Sequence, residues 1–299
     1  MLSLAVLLVS GSAAAGPAVG ARFLNVPASV RQMGMGGVAL GEPDVLRTWS
    51  NPAALGALDA RAQIAFNGGS GDRDIEQAVS GGGGFRLSDA LSLGALFSYR
   101  GLTFDEVDAA GAKGAAVGRT STAFGVAGCW SWRWLNAGVT LKGVSDSSAQ
   151  DTEKLTAGAA DAGVVATFQE FTAGAAFRNA GTALHADDAT IPGGVSLPTE
   201  LRAGIAYRFP SLLVGAEMVT GSGPGAGLAF WVSDELAVRG GMARIGQPDA
   251  AITAGFSALL TKLGALKNVG VDYGLALQSP YAEHRVNLSV AFGALPGTK

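Results

Sequence analysis

Apolar and polar residues alternate with a period of two through most of the chain after about residue 60. The segment LSLGALFSYR (91–100) sets mainly leucine, alanine, phenylalanine and tyrosine against serine, glycine and arginine. The same pattern recurs in LNAGVTLK (135–142), FTAGAAFR (171–178), LRAGIAYRF (201–209) and HRVNLSVAF (284–292). Because successive side chains of a β-strand point to opposite faces, this alternation predicts an all-β protein whose strands have one apolar face.

Alternation alone fits a soluble β-sandwich as well as a membrane barrel, and further features favour the barrel. The polar faces carry glycine, small residues and isolated charges, which suits a lumen better than bulk water. Charged residues make up only 15% of the chain, against roughly 25% in soluble domains. After residue 21 the longest run without a charge is Met218–Ser233, which is broken by glycines and a proline and is too short for a membrane-spanning helix.

We therefore predict a transmembrane antiparallel β-barrel of about fourteen strands. The predicted strands lie near 61–67, 78–86, 91–100, 121–131, 133–143, 157–168, 170–178, 200–209, 212–219, 225–232, 235–243, 251–259, 268–277 and 284–293. Aromatic residues near the strand ends, such as Trp130, Trp132 and Phe168, are typical of the girdles of such barrels.

The predicted connections alternate in length along the chain. Short ones at 87–90, 132, 169, 210–211 and 233–234 alternate with long ones at 101–120, 144–156 and 179–199, whereas 261–267 is longer than this rule predicts. Short periplasmic turns opposite long external loops are typical of outer-membrane barrels. We therefore predict a location in the outer membrane of a Gram-negative bacterium, with membrane lipid and lipopolysaccharide around the barrel.

The N-terminus has the pattern of an export signal. A short apolar stretch is followed by small residues, and Ala13-Ala14-Ala15 offers a cleavage site before Gly16, although no Lys or Arg precedes the apolar run. We predict that residues 1–15 are a signal peptide.

The segment Met33–Leu55 contains a glycine cluster that resembles a dinucleotide-binding turn. Residues 34–39 read GMGGVA and fit the pattern G-x-G-x-x-A. That fingerprint must follow a buried strand and open a helix, but FLNVPASVRQ (23–32) carries a proline and an arginine and has no continuous apolar run. The sequence therefore argues against a nucleotide site and leaves the glycines to serve tight backbone packing.

The rest of the chain has few motifs that are typical of catalytic, metal-binding or nucleic-acid-binding sites. The two histidines, His185 and His284, are not in a metal-ligand spacing, and the single cysteine, Cys129, is compatible with neither a zinc cluster nor an intrachain disulfide. The acidic runs 105–108 and 187–188 are interpreted as solvated loop charge, with Ca²⁺ binding as the alternative. A net charge of −3 offers no basic surface for nucleic acid. We predict a protein with no cofactor or metal that is not an enzyme, with a barrel-embedded hydrolase as an alternative.

Ten charged residues lie on the polar faces of the predicted strands, which would point into the lumen of a closed barrel. They are Arg100, Lys142, Asp161, Arg178, Arg202, Arg208, Glu217, Arg239, Asp272 and Arg285. Two interpretations remain open: a structural network that holds a plug, and a polar path or substrate-contacting wall.

The N-terminal segment GARFLNVPASVRQMGMGGVALGEPDVLRTWSNPAAL (20–55) resembles the signature of PorV/PorQ-type outer-membrane proteins of the FadL-like barrel superfamily. The matching residues are Gly34, Gly36, Gly37, Asp44, Asn51, Pro52 and Ala53. FRNAGTAL (177–184), LPTELRAGIAYRF (197–209) and the closing hairpin 271–293 resemble later parts of the same pattern.

This resemblance implies a fourteen-stranded barrel, 58–299, with a hatch, 16–57, folded into its lumen. It implies a role in protein secretion or surface assembly with periplasmic or secreted protein partners. The alternative is a FadL-like passive channel for hydrophobic small molecules such as long-chain fatty acids. A purely structural barrel that anchors an envelope complex is a further alternative.

Overall fold

Fourteen antiparallel strands close into a barrel in the computed structural model, which describes residues 20–71, 76–107, 113–148, 154–186, 195–263, 266–279 and 281–294. The barrel strands are β1 (Ala60–Gly71), β2 (Glu76–Arg86), β3 (Leu91–Val107), β4 (Lys113–Trp132), β5 (Leu135–Ser148), β6 (Lys154–Phe168), β7 (Phe171–Gly181), β9 (Glu200–Arg208), β10 (Leu212–Val219), β11 (Gly223–Trp231), β12 (Leu236–Ala243), β13 (Ala251–Leu263), β14 (Leu266–Gln278) and β15 (Tyr281–Ala294). The two-residue strand β8 (His185–Ala186) pairs with the start of β6 at the rim.

Every barrel strand pairs with two neighbours, so the sheet has no free edge. Hairpin neighbours pair along the chain, β7 pairs with β9, and the first and last strands close the ring through the register Ala60↔Ala294 to Gly71↔Glu283. Closure satisfies the backbone hydrogen-bonding groups that hydrocarbon would leave unpaired. The prediction of a fourteen-stranded antiparallel barrel is confirmed.

Apolar side chains cover the outside of the barrel. On β4 and β5, Phe124, Val126, Val139 and Leu141 are 56–62% exposed, as expected for side chains that face lipid. The intervening residues on the same strands are buried inside the barrel. No helix among the described residues is long and apolar enough to span a membrane.

The connections at one rim are all short, whereas those at the other rim vary in length and include the longest, 182–199, so we call it the rim with long connections. The structure corrects three of the predicted lengths. β5 continues to Ser148 and β6 begins at Lys154, so the connection predicted at 144–156 is shorter. β13 continues to Leu263 and pairs with β14 from Leu266, so the connection predicted at 261–267 is in fact short. β3 continues to Val107 and β4 already begins at Lys113, so most of the loop predicted at 101–120 is strand. Alternation fails as a signal there because strand beyond the hydrocarbon layer needs no apolar outer face.

Four short helices precede β1. They are the 3₁₀ helices Arg22–Asn25, Val45–Trp49 and Pro52–Ala57 and the α-helix α1 (Val30–Gly34). Residues 1–19, which include the predicted signal peptide, lie outside the described residues, as do Asp187 and Asp188; of the acidic run 105–108, residues 105–107 lie on β3 and Asp108 is not described.

Candidate functional site

Residues 20–58, hereafter the N-terminal segment, run through the barrel lumen from the rim with long connections to the rim with short turns. At the first rim, the N–H of Gly20 donates to the carbonyl oxygen of Ser196 at 3.0 Å. At the second, Arg86 Nη1 donates to the carbonyl oxygen of Leu58 at 3.1 Å. The segment has little regular structure of its own, so its conformation depends on contacts with the barrel wall.

The glycine cluster forms the end of α1 and the turn that follows it. The N–H of Gly36 donates to Thr253 Oγ1 at 2.9 Å, and that hydroxyl donates to the carbonyl oxygen of Gly34 at 3.1 Å. Gly36 and Gly37 have φ angles of +68° and +89°, a region that L-residues rarely adopt. A Cβ atom at Gly36 would also lie 2.4 Å from the carbonyl oxygen of Ala226. The motif therefore serves a backbone turn that is pressed against the wall.

Asp44 and Asn51 each cap a 3₁₀ helix. Asp44 Oδ1 accepts from the N–H of Leu46 at 2.9 Å, and Asn51 Oδ1 accepts from the N–H of Ala53 at 3.0 Å. Pro52 occupies the first turn of its helix, where its missing N–H costs nothing.

Asn51 also binds the barrel wall. Its Nδ2 lies 3.2 Å from the carbonyl oxygen of Val164 and 3.3 Å from that of Ala175. These carbonyls belong to paired residues of β6 and β7, so the side chain attaches the segment to one seam of the wall.

Besides Arg86, four arginines of the wall each donate a hydrogen bond to a backbone carbonyl oxygen of the N-terminal segment. The pairs are Arg178 with Leu24 at 2.6 Å, Arg202 with Gly37 at 3.0 Å, Arg208 with Gly41 at 2.6 Å, and Arg285 with Pro27 at 2.5 Å. In three of these arginines the guanidinium is also paired with a wall carboxylate, which fixes its direction: Arg178 with Glu200, Arg202 with Glu217, and Arg285 with Glu283. Irregular backbone that would be unsatisfied inside a barrel thus obtains partners from the wall.

Two further wall charges pair with charged side chains of the segment. Arg239 Nη2 lies 3.1 Å from Glu42 Oε1, and Asp272 Oδ1 lies 2.9 Å from Arg31 Nε. Arg47, in the same segment, lies 3.4 Å from the other oxygen of Glu42. Burial alone would raise the pKa of Glu42, but the positive charges of Arg239, Arg47 and Arg31 outweigh it and lower that pKa below the ordinary carboxyl value. Glu42 therefore stays ionised at neutral pH.

The remaining wall charges differ in what they contact. Glu217 accepts from the N–H of Ala39 at 2.7 Å. Lys142 lies 2.7 Å from Asp161 and 5.7 Å from the ring centre of Trp49. Arg100 pairs with Glu76 of the neighbouring strand β2.

A cavity of about 680 Å³ lies above the segment at the rim with long connections. Its floor includes Val26, Pro27 and Met33 of the N-terminal segment. Its walls carry both signs of charge, among them Arg100, Arg202, Arg285, Glu76, Glu217 and Glu283. We call this cavity the vestibule. Arg100, Arg202 and Arg285 are each paired with one of these glutamates, so the vestibule is polar without a large excess of either charge.

Apolar packing covers another part of the segment. Phe23, Leu24 and Trp49 belong to one buried cluster with the wall residues Leu96 and Val144. Val45, Leu46, Leu55 and Leu58 form another with Ala65, Ala127 and Cys129. Apolar contacts to the segment therefore predominate along β3–β6, which we call the apolar sector, although this sector also carries the Lys142–Asp161 pair. Charged contacts predominate along β9–β15, which we call the charged sector, although Met35, Val38 and Leu40 pack there against apolar wall residues.

Sequence reasoning missed several partners of the segment. Glu42 and Arg31 lie within the predicted hatch but were not singled out, and Glu200 and Glu283 were missed on the wall. Glu200 lies two residues before Arg202, and Glu283 two before Arg285, so each pair shares a strand face. Glu200 is the first residue of the predicted strand 200–209, and Glu283 lies one residue before the predicted strand 284–293. Following the polar face of each strand to its true end would have found both.

Comparisons with known proteins identify a shared fold. No protein-family model and no curated protein sequence matches the chain. Among solved structures, the toluene transporter TodX of Pseudomonas putida superimposes with a TM-score of 0.68 at 11% identity, over 89% of this chain and 99% of that one. The monoaromatic hydrocarbon channel CymD gives a TM-score of 0.59 at 12% identity, over 88% and 97% of the two chains.

The closed barrel, its apolar exterior and these shared folds define a transmembrane β-barrel of the Gram-negative outer membrane. At this level of identity the likeness establishes the fold alone. It agrees with the wider FadL-like resemblance and gives no support to the narrower PorV/PorQ one.

Proposed function

We propose that this protein is a passive, non-enzymatic channel of the outer membrane for hydrophobic small molecules, with the N-terminal segment as its hatch. One observation carries the proposal: residues 20–58 occupy the lumen of a closed barrel and are held there by hydrogen bonds, ion pairs and packing. Contacts of this kind can be broken without covalent change, so the segment is a removable obstruction.

Two features support a hydrophobic substrate over a polar one. The apolar sector along β3–β6 gives the lumen a surface against which an apolar molecule can pack once Phe23 and Leu24 leave it. The solved barrels with the same fold are described as a toluene transporter and a monoaromatic hydrocarbon channel. Secretion or surface assembly with a protein partner, the other role that the resemblance implied, has no comparable support.

In this proposal the residues predicted from sequence have two roles. The glycine cluster and the capped Asp44 and Asn51 give the hatch its shape. The wall charges hold it: Arg178, Arg202, Arg208 and Arg285 through backbone carbonyls, and Arg239 and Asp272 through side chains.

Deletion of residues 21–55 tests the hatch role. The deleted barrel, reconstituted in planar bilayers, should conduct several-fold more than the full chain, and vesicles that contain it should take up toluene faster. Heat-modifiable migration on gels verifies that the deleted barrel is folded. If the deletion variant is folded but its conductance is unchanged, the hatch role is rejected. If its conductance rises without faster toluene uptake, the proposal of a hydrophobic substrate is rejected.

A matched comparison separates transport from assembly. Substitution of exposed residues at the rims, such as Lys154→Ala, should leave toluene uptake unchanged. Co-purification of a stoichiometric periplasmic or secreted partner from intact outer membranes, together with unchanged toluene uptake on deletion, would favour the assembly role instead.

A further inference from the structure

The barrel wall lacks side chains where the backbone of the N-terminal segment approaches it most closely. On β11, a Cβ atom at Gly225 would lie 2.2 Å from the carbonyl oxygen of Gly36, and one at Gly227 would lie 2.3 Å from that of Met35. On β12, a Cβ atom at Gly241 would lie 2.7 Å from the N–H nitrogen of Gly36. We call these three wall glycines the first seat.

A second set of glycines receives the Asn51-Pro52 step. A Cβ atom at Gly138 of β5 would lie 2.5 Å from the carbonyl carbon of Pro52, and one at Gly163 of β6 would lie 2.1 Å from Asn51 Oδ1. Distances of this size are far inside van der Waals contact, so any other residue here must displace the segment or the wall. We call Gly138 and Gly163 the second seat.

The two seats lie on separate parts of the wall. Three strands, β7, β9 and β10, separate them on one side of the ring, and seven strands separate them on the other. The second seat holds residues that are close in sequence to the start of β1 at Ala60, whereas the first seat holds residues in the middle of the segment.

We propose that the two seats are the positioning sites of the hatch and that they act separately, the first as its latch and the second as its hinge. This inference rests on the proposed hatch. A side chain in the first seat pushes residues 35–36 off the wall while residues 51–58 stay in place, so the lumen opens partly. Side chains in both seats release the whole segment.

Other glycines of the same strands provide matched controls. A Cβ atom at Gly143 of β5 or Gly158 of β6 would meet nothing within 4 Å, and one at Gly240 of β12 would meet its nearest atom only at 3.9 Å. Leucine at these positions adds the same side-chain volume as leucine in a seat and changes the β-strand propensity equally, but it does not contact the N-terminal segment.

The experiment measures the conductance of the full-length protein and its variants in planar lipid bilayers in KCl solution. Gly227→Leu should raise the mean conductance several-fold. Gly163→Leu should also raise the mean conductance, to a level different from that of Gly227→Leu. The double variant should have a mean conductance close to that of the 21–55 deletion variant. Gly240→Leu and Gly143→Leu should match the unsubstituted protein. Because leucine could impair barrel folding, Gly225→Ala, with only one added methyl group, is measured as a second variant.

Epistasis distinguishes failure of the seats from failure of the hatch. In the 21–55 deletion background, Gly227→Leu should change nothing further, since the backbone it displaces is gone. If the deletion raises conductance but the folded Gly227→Leu and Gly225→Ala variants do not, the proposed role of the seats is rejected while the proposed hatch is retained. If the deletion also leaves conductance unchanged, the hatch itself is wrong.

Discussion

Residues 30–44 and residues 45–58 of the N-terminal segment, called here its charged and apolar halves, are held in the lumen by different combinations of forces. Residues 30–44 face the charged sector and are bound through Asp272, Arg202, Arg208, Glu217 and Arg239. Met35, Val38 and Leu40 of this part also pack in a buried apolar cluster against the wall, so charged contacts here add to packing and do not replace it. Residues 45–58 face β1–β6, where Val45, Leu46, Leu55 and Leu58 are almost completely buried. Ion pairs and charged hydrogen bonds are directional and fail when one partner is lost, whereas apolar packing is spread over many weak contacts. If the segment acts as the proposed hatch, residues 30–44 should therefore leave the wall more readily than residues 45–58.

The largest effect is expected for Arg239→Ala. This change leaves the Glu42 carboxylate buried, with the more distant Arg47 as its remaining ion-pair partner among the described residues. Removing one member of a buried ion pair costs about 3–5 kcal/mol. If the segment is a hatch, as proposed, this cost lowers the free energy that holds it in the lumen. Bilayer conductance should rise several-fold while the melting temperature of the barrel changes little. A fall in melting temperature with unchanged conductance would assign Arg239 to the barrel and not to the hatch.

Leu55→Ala probes the apolar half. Leu55 is fully buried, and its methyl groups lie against the inner faces of Gly84 and Gly94. Truncation of a buried leucine costs about 2–5 kcal/mol, so the midpoint of urea unfolding should fall. Leu87→Ala, at a residue that is 52% exposed in a short turn, is the control and should have little effect. If Leu55→Ala instead raised conductance as much as Arg239→Ala, the two halves would not differ.

Arg208→Ala should have a smaller effect. Arg208 is partly exposed, donates to the carbonyl oxygen of Gly41 and lies 4.7 Å from the ring centre of Trp231. A hydrogen bond to a charged group contributes about 1.5–3 kcal/mol, so conductance should rise less than in Arg239→Ala. Arg208→Lys keeps the charge and should recover part of the closed state, whereas equal opening by both variants would point to the stacked ring and not to the hydrogen bond.

Acid is expected to have the smallest effect on how firmly the charged half is held in the lumen, and only at low pH. The folded-state pKa of Glu42 is lowered, so its stabilisation of the closed state is complete above the unfolded value of about 4.3 and is lost as pH falls through the lower folded value. Conductance should therefore be flat from neutral pH to about 5 and rise only in stronger acid. Glu42→Gln should already be partly open at neutral pH and respond less to acid; an identical pH profile in both proteins would exclude Glu42 as the group.

Much of the barrel could be predicted from local sequence, and the exceptions have physical causes. The strands were predictable because lipid on one side and the lumen on the other impose an apolar–polar period of two, as in β5 and β9. The extended β3–β4 hairpin was not, because beyond the hydrocarbon no such period is imposed. Glu200 and Glu283 were missed because they lie at strand ends, where the alternation begins.

For the candidate site, the sequence indicated which residues matter and not what they contact. The glycines at 34, 36 and 37 and the capping residues Asp44 and Asn51 were marked by their own patterns, since turn and cap geometry is local. That Gly36 meets Thr253, Glu42 meets Arg239, and Pro52 meets Gly138 could not be predicted, because each pair joins residues distant in the chain.

The sequence by itself determined a fourteen-stranded membrane barrel with an unusual glycine-bearing N-terminal segment, because strand periodicity and turn chemistry are encoded residue by residue. The tertiary structure alone decided that this segment crosses the lumen, that arginines of the wall bind its carbonyl groups, and that wall glycines receive its backbone. Such contacts depend on the register and curvature of the closed sheet, which bring together residues that no local pattern relates.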